Sequence, residues 1–336
     1  MKAYLLTKAG KADVLKIHEV EEPQCRADQV KICLANIGIN YAEILSRQGK
    51  YSWAPKKPYI PGMEGMGVVE EVGSQVTHLQ VGDNVIFGNQ YGAYAEKIVV
   101  PGHMAFKTID TYSEEENAAF LVNFITAWVA LVELSRIKPS DTVLIQAAAG
   151  GVGTAAVQLA GRMGCEVIGL AGSDDKLELI QKLGATHSIN YRTQDFEEVV
   201  RAAIGGVDVV LELVGGEVFE KSRNLLKPFG RIAVAGYASI PFQKWNPYSW
   251  WLTWKNAPKV SIMPMAKKSY SVSATHIGYL IDKPEVVSEC YGRLKDFVIQ
   301  HELKPVVGRV FDFDEIPLAH EWIESRNSVG KVVVRV

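Results

Sequence analysis

The 336-residue sequence has only four cysteines, and no two of them form a C-x-x-C pair. Such scattered cysteines favour neither a zinc cluster nor a disulfide framework, so we expect reduced thiols in a cytoplasmic protein. The N-terminus has no apolar signal region, and no run approaches the roughly 18 apolar residues of a membrane span. We therefore expect neither secretion nor membrane insertion.

The sequence also lacks a strong charge of either sign. Its 36 Lys and Arg residues nearly balance 38 Asp and Glu, which gives a net charge of −2, and 48% of the residues are hydrophobic. A chain so close to neutrality has no electrostatic reason to bind nucleic acid. The length predicts two domains, because single cores seldom grow beyond roughly 250 to 300 residues. The expected partner is a small molecule.

The most informative segment is TVLIQAAAGGVG, residues 142–153. Val143 to Ile145 predict a buried parallel strand, and residues 154–163 predict the helix that follows. The turn between them fits the G-x-G-x-x-G pattern of dinucleotide-binding proteins, with alanine at the first position. We predict that a nicotinamide nucleotide places its pyrophosphate at the N-terminus of this helix. The turn residues predicted to bind the cofactor are Ala148, Gly150, Gly151, Val152 and Gly153.

The rest of the chain shows two different patterns of predicted secondary structure. Short β-like runs separated by glycine and proline in the first third predict a barrel-like β domain. From about Asn123, strands alternate with amphipathic helices, which predicts a doubly wound parallel sheet. Lys227 to Gly230 predict a helix stop and a turn before the fifth strand, and Val260 to Met263 are a candidate sixth strand. Near the end, β-like runs flank a helix, which would allow the chain to return to the first domain.

Several motifs make the whole chain resemble the medium-chain dehydrogenase/reductase superfamily, and within it the zinc-independent quinone oxidoreductase branch. They are PGMEGMGVVEEVG, VGDNV, AAAGGVGTAAVQLA, LGATHSINY, LLKPFGRIAVAG and SVGKVVV. RQGKY, LVNFITAW and the tryptophan-rich segment before HIGYL look most like vesicle amine transport protein-like members. The resemblance implies an α/β fold: a GroES-like β-rich domain (residues 1–122 and 268–336), an inserted Rossmann domain (residues 123–267), and an active site in the cleft between them.

The same resemblance implies that no metal is bound. Zinc-dependent members carry a cysteine and a histidine at positions that look like Asn40 and Met63 here, and an amide with a thioether is a poor ligand pair for zinc. Glu64 cannot supply a site alone, and we interpret it as a paired carboxylate near the floor of the cleft.

The end of the second strand bears on the choice between NADPH and NADH. NAD enzymes usually carry an acid there, which repels a 2′-phosphate. Here the strand ends at Ser173, followed by Asp174 and Asp175. These acids either supply that function or form the first turn of a helix capped by Ser173, and we favour the cap.

The resemblance implies that Ser173, Lys176 and Tyr191 hold the 2′-phosphate of NADPH, with Arg326 as a more distant contributor. A phosphate attracts such cations through charge-assisted hydrogen bonds. NADPH is therefore preferred over NADH, although Lys176 also suits the alternative of a solvated helix lysine.

Without zinc, a quinone or an α,β-unsaturated carbonyl is a better hydride acceptor than a simple aldehyde, because charge delocalises onto its oxygen. The residues chosen for substrate and reaction are Asn40, Tyr51 and Thr126. The alternative role for Asn40 is that of a helix cap, and the alternative for Tyr51 is that of a loop aromatic. Tyr41, Tyr94 and Tyr237 are further phenolic donors that the sequence does not rank.

Three more residues are predicted to contact the cofactor. Asn123 is placed near the nicotinamide, Gly236 is expected to let the backbone pass it, and Lys331 lies in a Gly-Lys turn near it, with a solvent lysine as the alternative. The segment Trp245 to Trp254 is interpreted first as a homodimer contact, and peripheral membrane binding is less favoured. The rival to a reductase is a nucleotide-binding protein that acts by interaction or lipid handling.

Overall fold

The computed structural model describes residues 1–236 and 260–336. Tyr237 and the segment Trp245 to Trp254 lie outside the described residues. Within them the strands are, in chain order, β1 Lys2–Leu5, β2 Lys16–Glu19, β3 Gln29–Ile39, β4 Glu64–Val72, β5 Asn84–Gly88, β6 Lys97–Pro101, β7 Ala105–Lys107, β8 Thr142–Ile145, β9 Glu166–Ala171, β10 His187–Asn190, β11 Val207–Glu212, β12 Leu226–Val234, β13 Ser271–Ala274, β14 Val307–Asp312 and β15 Lys331–Arg335. The helices are α1 Tyr41–Arg47, α2 Glu114–Trp128, α3 Gly151–Arg162, α4 Asp174–Lys182, α5 Phe196–Ala203, α6 Gly216–Asn224, α7 Ile262–Lys268, α8 Pro284–Gln300 and α9 Ile316–Glu324.

The chain folds as two compact units. The first comprises Met1–Asn123, Gly278–Lys295 and Lys304–Val336, and the second comprises Phe124–Ile277 and Asp296–Leu303. Residues 268–277 and 296–303, which sequence analysis places in the β-rich domain, thus belong to the second unit. β13 pairs with β12 there, and Phe297 of α8 packs against Trp128 with ring centroids 5.7 Å apart.

The first unit is β-rich. Its larger sheet has the order β14-β15-β3-β4-β5-β7, with β6 also paired to β3, and β1 and β2 form a separate antiparallel pair. Only β14 and β15 among these pairs run parallel. Alternate residues of β3 such as Ile32 and Leu34 turn into a core with Val85, Phe87 and Tyr94. The resulting sheet places the ends of β15, β3 and β4 side by side.

The second unit is a doubly wound α/β domain. Its parallel sheet has the order β10-β9-β8-β11-β12-β13. Every residue of β8 is buried, as expected for a central strand covered by helices on both faces. Leu144, Ile168, Val210 and Ile232 contribute to its core together with Phe219 of α6. The predicted fold class, a β-rich domain with a Rossmann-type parallel sheet, is confirmed.

The predicted sixth strand, Val260 to Met263, was wrong. The structure begins α7 at Ile262, and the sheet receives its sixth described strand later, as β13. Ile262 is 80% exposed and Met263 is 68% exposed, so these apolar side chains do not enter a sheet core. β13 has the sequence SVSA, which lacks the apolar run on which the prediction depended.

The turn predicted at Lys227 to Gly230 was also wrong. These residues lie inside β12, where its pairing with β11 is irregular: Val207 faces Leu226, but Val209 faces Arg231. The extra residues form a bulge, and Phe229 within it has a φ of 64°. The proline and glycine therefore mark an interruption of pairing within a strand.

One helical stretch resembles a membrane span in composition, contrary to the expectation that none would. Within Glu114–Leu134, which is α2 with the π-helical turn Val129–Leu134, an 18-residue window has a mean hydropathy of 1.6, and 72% of that window is buried inside the structure. Such burial is typical of a core helix in a globular protein.

Candidate functional site

The glycine turn after β8 has the geometry of a phosphate-binding turn. A Cβ atom at Gly153 would lie 2.2 Å from the carbonyl oxygen of Ala147, so only glycine lets the helix approach the turn this closely. Ala148 is fully buried, and its N–H donates to Leu170 O on β9 at 2.9 Å. Gly150 is the residue before α3. The amides of the first helical turn, including those of Gly151 and Val152, have no partner within the helix and suit an anion.

The end of β9 brings together two predicted cofactor residues and one that sequence analysis missed. A Cβ atom at Gly172 would lie 2.8 Å from Tyr191 Oη and 3.0 Å from Arg192 Nε. Burial lowers the pKa of Lys176, and the positive charge of Arg192 acts in the same direction. Lys176 lies in the first turn of α4, which begins two residues after Gly172. Arg192 directly follows Tyr191 in the chain, and this adjacency was the available signal. The corner can therefore hold an anionic group.

The capping hypothesis for Ser173 was half correct. Ser173 is the residue before α4, and its carbonyl accepts from the N–H groups of Lys176 and Leu177, each at 3.1 Å. Its side chain, however, makes no capping hydrogen bond. Asp174 opens the helix and accepts from Asn190 Nδ2 at 3.4 Å. The serine hydroxyl is therefore not used to begin the helix.

A second group of side chains forms in the β-rich unit, and we call Asn40, Glu43, Glu64, Tyr94 and Lys331 the Asn40 cluster. All five are buried, with side chains 8% exposed or less. Sheet pairing assembles three of them, because Val332 faces Ile39 and Glu64 faces Gly38, which sets Lys331 and Glu64 beside residue 40. Local sequence patterns indicate Asn40 and Lys331 separately and contain no link between them.

Hydrogen bonds fix the orientation of the Asn40 amide. Lys331 Nζ donates to Asn40 Oδ1 at 2.7 Å and also forms a salt bridge with Glu64 Oε1. Asn40 Nδ2 donates to Glu64 at 3.0 Å and to Glu43 at 3.2 Å. Both amide hydrogens thus face carboxylates of the protein. Lys331 is not the solvent lysine that sequence analysis kept as an alternative.

Glu43 continues the cluster toward α9. Its carboxylate accepts from the N–H groups of Asn40 and Met63 at 3.0 and 2.9 Å, and from Tyr94 Oη. Burial raises the pKa of Glu43, while these hydrogen bonds oppose the rise. Tyr94 Oη also lies 2.8 Å from His320 Nε2. Tyr94, one of the phenols considered as a proton donor, therefore already donates its proton within the protein.

His320 ends this chain of contacts as a neutral imidazole. It is fully buried, and burial lowers its pKa to about 3, with the charge of Arg47 acting in the same direction. Since Tyr94 donates to Glu43, His320 Nε2 must carry the hydrogen that bonds to Tyr94. His320 Nδ1 is buried without a partner, so a second proton there would be both charged and unsatisfied.

The residues at positions 40 and 63 do not fit a metal centre. Asn40 Oδ1 already accepts from the Lys331 ammonium, and a tethered cation there opposes a second one by charge repulsion. The thioether of Met63 is a soft, neutral ligand that zinc seldom uses. Over residues 1–236 and 260–336, no group of three His, Cys, Asp or Glu side chains is arranged to hold a metal ion.

The remaining predicted residues lie in separate places. Asn123 and Thr126 are both buried on α2, three residues apart and therefore on one side of the helix. Burial raises the pKa of Tyr51, with the Glu43 charge in the same direction, so its phenol stays protonated at neutral pH. Gly236 lies beside the Leu213 carbonyl. Arg326 belongs to the first unit. Burial raises the pKa of Tyr41 there, and the positive charge of Arg326 lowers it.

The comparisons with known proteins cover the whole chain. Residues 26–110 match the alcohol dehydrogenase GroES-like domain, and residues 151–289 match the family described as zinc-binding dehydrogenase. The chain is 34% identical over 338 residues to the human synaptic vesicle membrane protein VAT-1 homolog, spanning 99% of this chain and 86% of that protein. It is 32% identical to a quinone oxidoreductase-like protein 2 homolog of Nematostella vectensis, over 91% of this chain and 81% of that protein.

The fold is similar to that of solved oxidoreductases. The crystal structure of Escherichia coli quinone oxidoreductase complexed with NADPH superposes with a TM-score of 0.89 at 27% identity, covering 100% of both chains. The full-length matches and the two domain matches agree with the motifs quoted from the sequence. The chain therefore belongs to the medium-chain dehydrogenase/reductase superfamily, in the branch of the quinone oxidoreductases and VAT-1 homologues, and its family is one of oxidoreductases.

Proposed function

We propose that the protein is an NADPH-dependent, zinc-independent reductase that transfers hydride to a quinone or an α,β-unsaturated carbonyl. The observation that carries this proposal is the pair of cations, Lys176 and Arg192, beside Gly172 and Tyr191 at the end of β9. β9 ends at Ala171, and the nearest acids, Asp174 and Asp175, lie in the first turn of α4. Two cations at this corner favour a phosphate over a hydroxyl. Relatives solved with NADPH support the same assignment.

The cofactor residues divide into three groups by what they would hold. The turn from Ala148 to Gly153 would bind the pyrophosphate through its amides and the N-terminus of α3. Ser173, Lys176, Tyr191 and Arg192 would bind the 2′-phosphate. When NADPH is bound, its nicotinamide ring would supply the hydride. The residues retained for the remaining cofactor contacts are Asn123, Gly236, Arg326 and Lys331.

Of Tyr51 and Asn40, Tyr51 is the better candidate to donate a hydrogen bond to the substrate that accepts the hydride. Its raised pKa keeps the phenol protonated. Asn40 retains a role in positioning, but its two amide hydrogens face Glu64 and Glu43, so it would orient the site without donating to substrate. Thr126 would lie near the nicotinamide ring and the acceptor. An acceptor that delocalises its own charge needs no Lewis acid, and a quinone or enone meets this requirement.

We further propose a cytoplasmic homodimer that acts on a small molecule and binds no nucleic acid. The near-neutral charge supports the last point. A second candidate function follows from the names of the relatives, several of which are vesicle membrane proteins. In that case the protein would bind NADPH and act mainly through interaction, with little turnover.

One experiment separates these functions. Purified protein is titrated with NADPH and NADH by fluorescence, and then 1,4-benzoquinone, phenanthrenequinone and a simple enone are added while cofactor oxidation is followed, with and without chelator. We expect NADPH preference and chelator-resistant turnover. Tight NADPH binding without turnover would favour the interaction protein, and failure to bind either nucleotide would refute both.

Lys176→Ala and Arg192→Ala test the phosphate assignment directly. Each should weaken the binding of NADPH by about tenfold to a hundredfold, since a hydrogen bond to a charged group contributes roughly 1.5–3 kcal/mol. NADH affinity should not change, because NADH lacks the 2′-phosphate. Lys182→Ala, at the other end of α4, is the matched control. An equal loss of affinity for NADPH and for NADH would contradict the assignment.

A further inference from the structure

A buried acid lies at the point where the parallel sheet reverses its winding. β8 and β11 are adjacent, and their pairing ends at Ile145 and Leu211, so the next residues, Gln146 and Glu212, face each other at the carboxyl ends. The chain continues from β8 to β9 on one side and from β11 to β12 on the other. In open parallel sheets, ligands bind in the crevice at this reversal.

The contacts of Glu212 are fully specified. Its side chain is 0% exposed. Gln146 Nε2 donates to Oε2 at 2.6 Å, and the N–H groups of Val214 and Gly215 each donate to Oε1 at 2.7 Å. All three partners are donors, an arrangement that suits an ionised carboxylate, because a protonated carboxyl would need an acceptor for its own hydrogen.

No cation neutralises this carboxylate within the described part of the chain. The groups that act on it are the amides of Gln146, Val214 and Gly215, all of them neutral. Burial raises the pKa of Glu212, and the three hydrogen bonds oppose that rise by favouring the charged form. A negative charge held only by neutral dipoles keeps a field that extends into its surroundings.

Asp208, on the same strand, provides an internal contrast. It accepts from the Thr142 N–H at 2.9 Å and from Lys227 Nζ at 3.0 Å. Lys227 and Arg231 both act on it by charge and help to lower its pKa, against the effect of burial. Asp208 lies four residue steps before Glu212 along the strand, a distance of about 13 Å. One end of β11 thus carries a neutralised acid, and the crevice end carries an acid without a cation.

We propose that Glu212 is a charge-selective residue of the nucleotide site, where it favours the oxidised form of the nicotinamide cofactor over the reduced form. The inference rests on the proposed cofactor and is independent of the acceptor. Loss of a hydride, one proton with two electrons, converts the neutral dihydropyridine ring to a pyridinium cation. Glu212 stabilises the positive charge that the ring gains, and Gln146 positions Glu212. The consequence is a site biased toward reducing its acceptor.

The test compares the dissociation constants of NADP⁺ and NADPH by calorimetry in the wild type, Glu212→Gln and Asp208→Asn. In Glu212→Gln we expect the ratio of the NADP⁺ constant to the NADPH constant to rise about threefold or more, because only the cation loses an attraction. Asp208→Asn removes an acid from the same strand and should leave the ratio unchanged.

Two results would overturn the proposal. An unchanged ratio in Glu212→Gln would do so, and so would equal weakening of both nucleotides, which would indicate that Glu212 only shapes the loop after β11. If Glu212→Gln does not fold, Gln146→Lys places an ammonium beside the intact carboxylate and should shift the ratio in the same direction; an unchanged ratio there is equally decisive. A wild type that binds both nucleotides but reduces no quinone would refute the proposed acceptor and leave this ratio measurable.

Discussion

The phosphate-binding turn and the Asn40 cluster differ in what they are made of. The turn, in the second unit, consists of backbone: Ala147 to Gly153 present carbonyl and amide groups, and glycine is needed at its end because any Cβ would meet a carbonyl. The cluster, in the first unit, consists of buried side chains that carry charge. The turn is therefore sensitive to added atoms, and the cluster is sensitive to lost charges.

The two regions also differ in the sequence separation of the residues that form them. The turn is closed within a few residues. Lys331, by contrast, bonds to Asn40 across 291 residues of sequence and to Glu64 across 267. A site of this second kind depends on correct pairing of β15 with β3 and of β3 with β4, so its integrity reports on the fold of the whole β-rich unit.

The largest expected effect comes from removing the cation of the cluster. Lys331→Met leaves Glu64 buried without its counter-charge and Asn40 Oδ1 without its donor, which should lower the free energy of unfolding by about 3–5 kcal/mol. Urea denaturation measures the change. Lys331→Met combined with Glu64→Met should recover part of the loss, because Glu64 then leaves no unpaired charge, whereas Glu43 and Asn40 Oδ1 still lack the Lys331 ammonium.

Lys107 and Asp83 form the matched surface pair. Lys107 is 55% exposed, and its ammonium lies 3.1 Å from the carboxylate. Lys107→Met should cost less than about 1 kcal/mol, as exposed ion pairs do. Similar losses in Lys331→Met and Lys107→Met would contradict the view that the cluster is held by buried charge.

A smaller effect is expected from pH through His320, whose imidazole contacts Tyr94 of the cluster. Folded His320 has a pKa of about 3, whereas an unfolded histidine titrates near 6.5. Between these values the unfolded chain binds a proton that the folded chain does not, so stability falls as the pH falls. His320 alone should account for about 2 kcal/mol between about pH 6 and about pH 4.

His320→Gln should remove that part of the pH dependence, since a glutamine amide can still donate to Tyr94 and does not titrate. Thermal unfolding in a pH series measures the slope. His187, whose side chain is 41% exposed and bonded to Glu166 at 2.9 Å, is the control, and His187→Gln should leave the slope as it is. A slope that His320→Gln does not change would place the acid sensitivity elsewhere.

The same contrast explains what could be predicted from the sequence. The order of strand, glycine turn and helix was predicted correctly because these elements are contiguous, and local patterns specify local backbone. The helix itself begins at Gly151, three residues before the predicted start. The fold class followed from the alternation of strands and helices. Lys331 was selected through its Gly-Lys turn, but its ion pair with Glu64 was not, because pairing partners so distant in sequence leave no local pattern.

The errors have equally physical causes. β13 was missed because the edge strand SVSA needs few apolar residues, whereas the exposed run Val260 to Met263 has them. The bulge in β12 was interpreted as a turn because proline and glycine mark both. Arg192 was overlooked although it follows Tyr191 directly, since an isolated arginine is common on surfaces.

The sharpest test of the backbone half of the comparison adds a single methyl group to the turn. Gly153→Ala places a Cβ atom 2.2 Å from the Ala147 carbonyl oxygen, so α3 must move away from the turn. Overpacking of this kind costs about 1–3 kcal/mol, and we expect NADPH affinity to fall by about tenfold or more. Gly150→Ala, at 3.2 Å from the same oxygen, should have a smaller effect.

Gly292→Ala separates this effect from the general consequences of replacing glycine. Gly292 lies on α8, and a Cβ there would have no atom within 4 Å. That variant should gain roughly 0.5–1 kcal/mol in stability, because alanine loses less conformational entropy in a helix, and it should bind NADPH unchanged. If Gly153→Ala also bound NADPH as the wild type does, then the turn would tolerate added atoms, and it would not be the backbone-defined site that its geometry indicates.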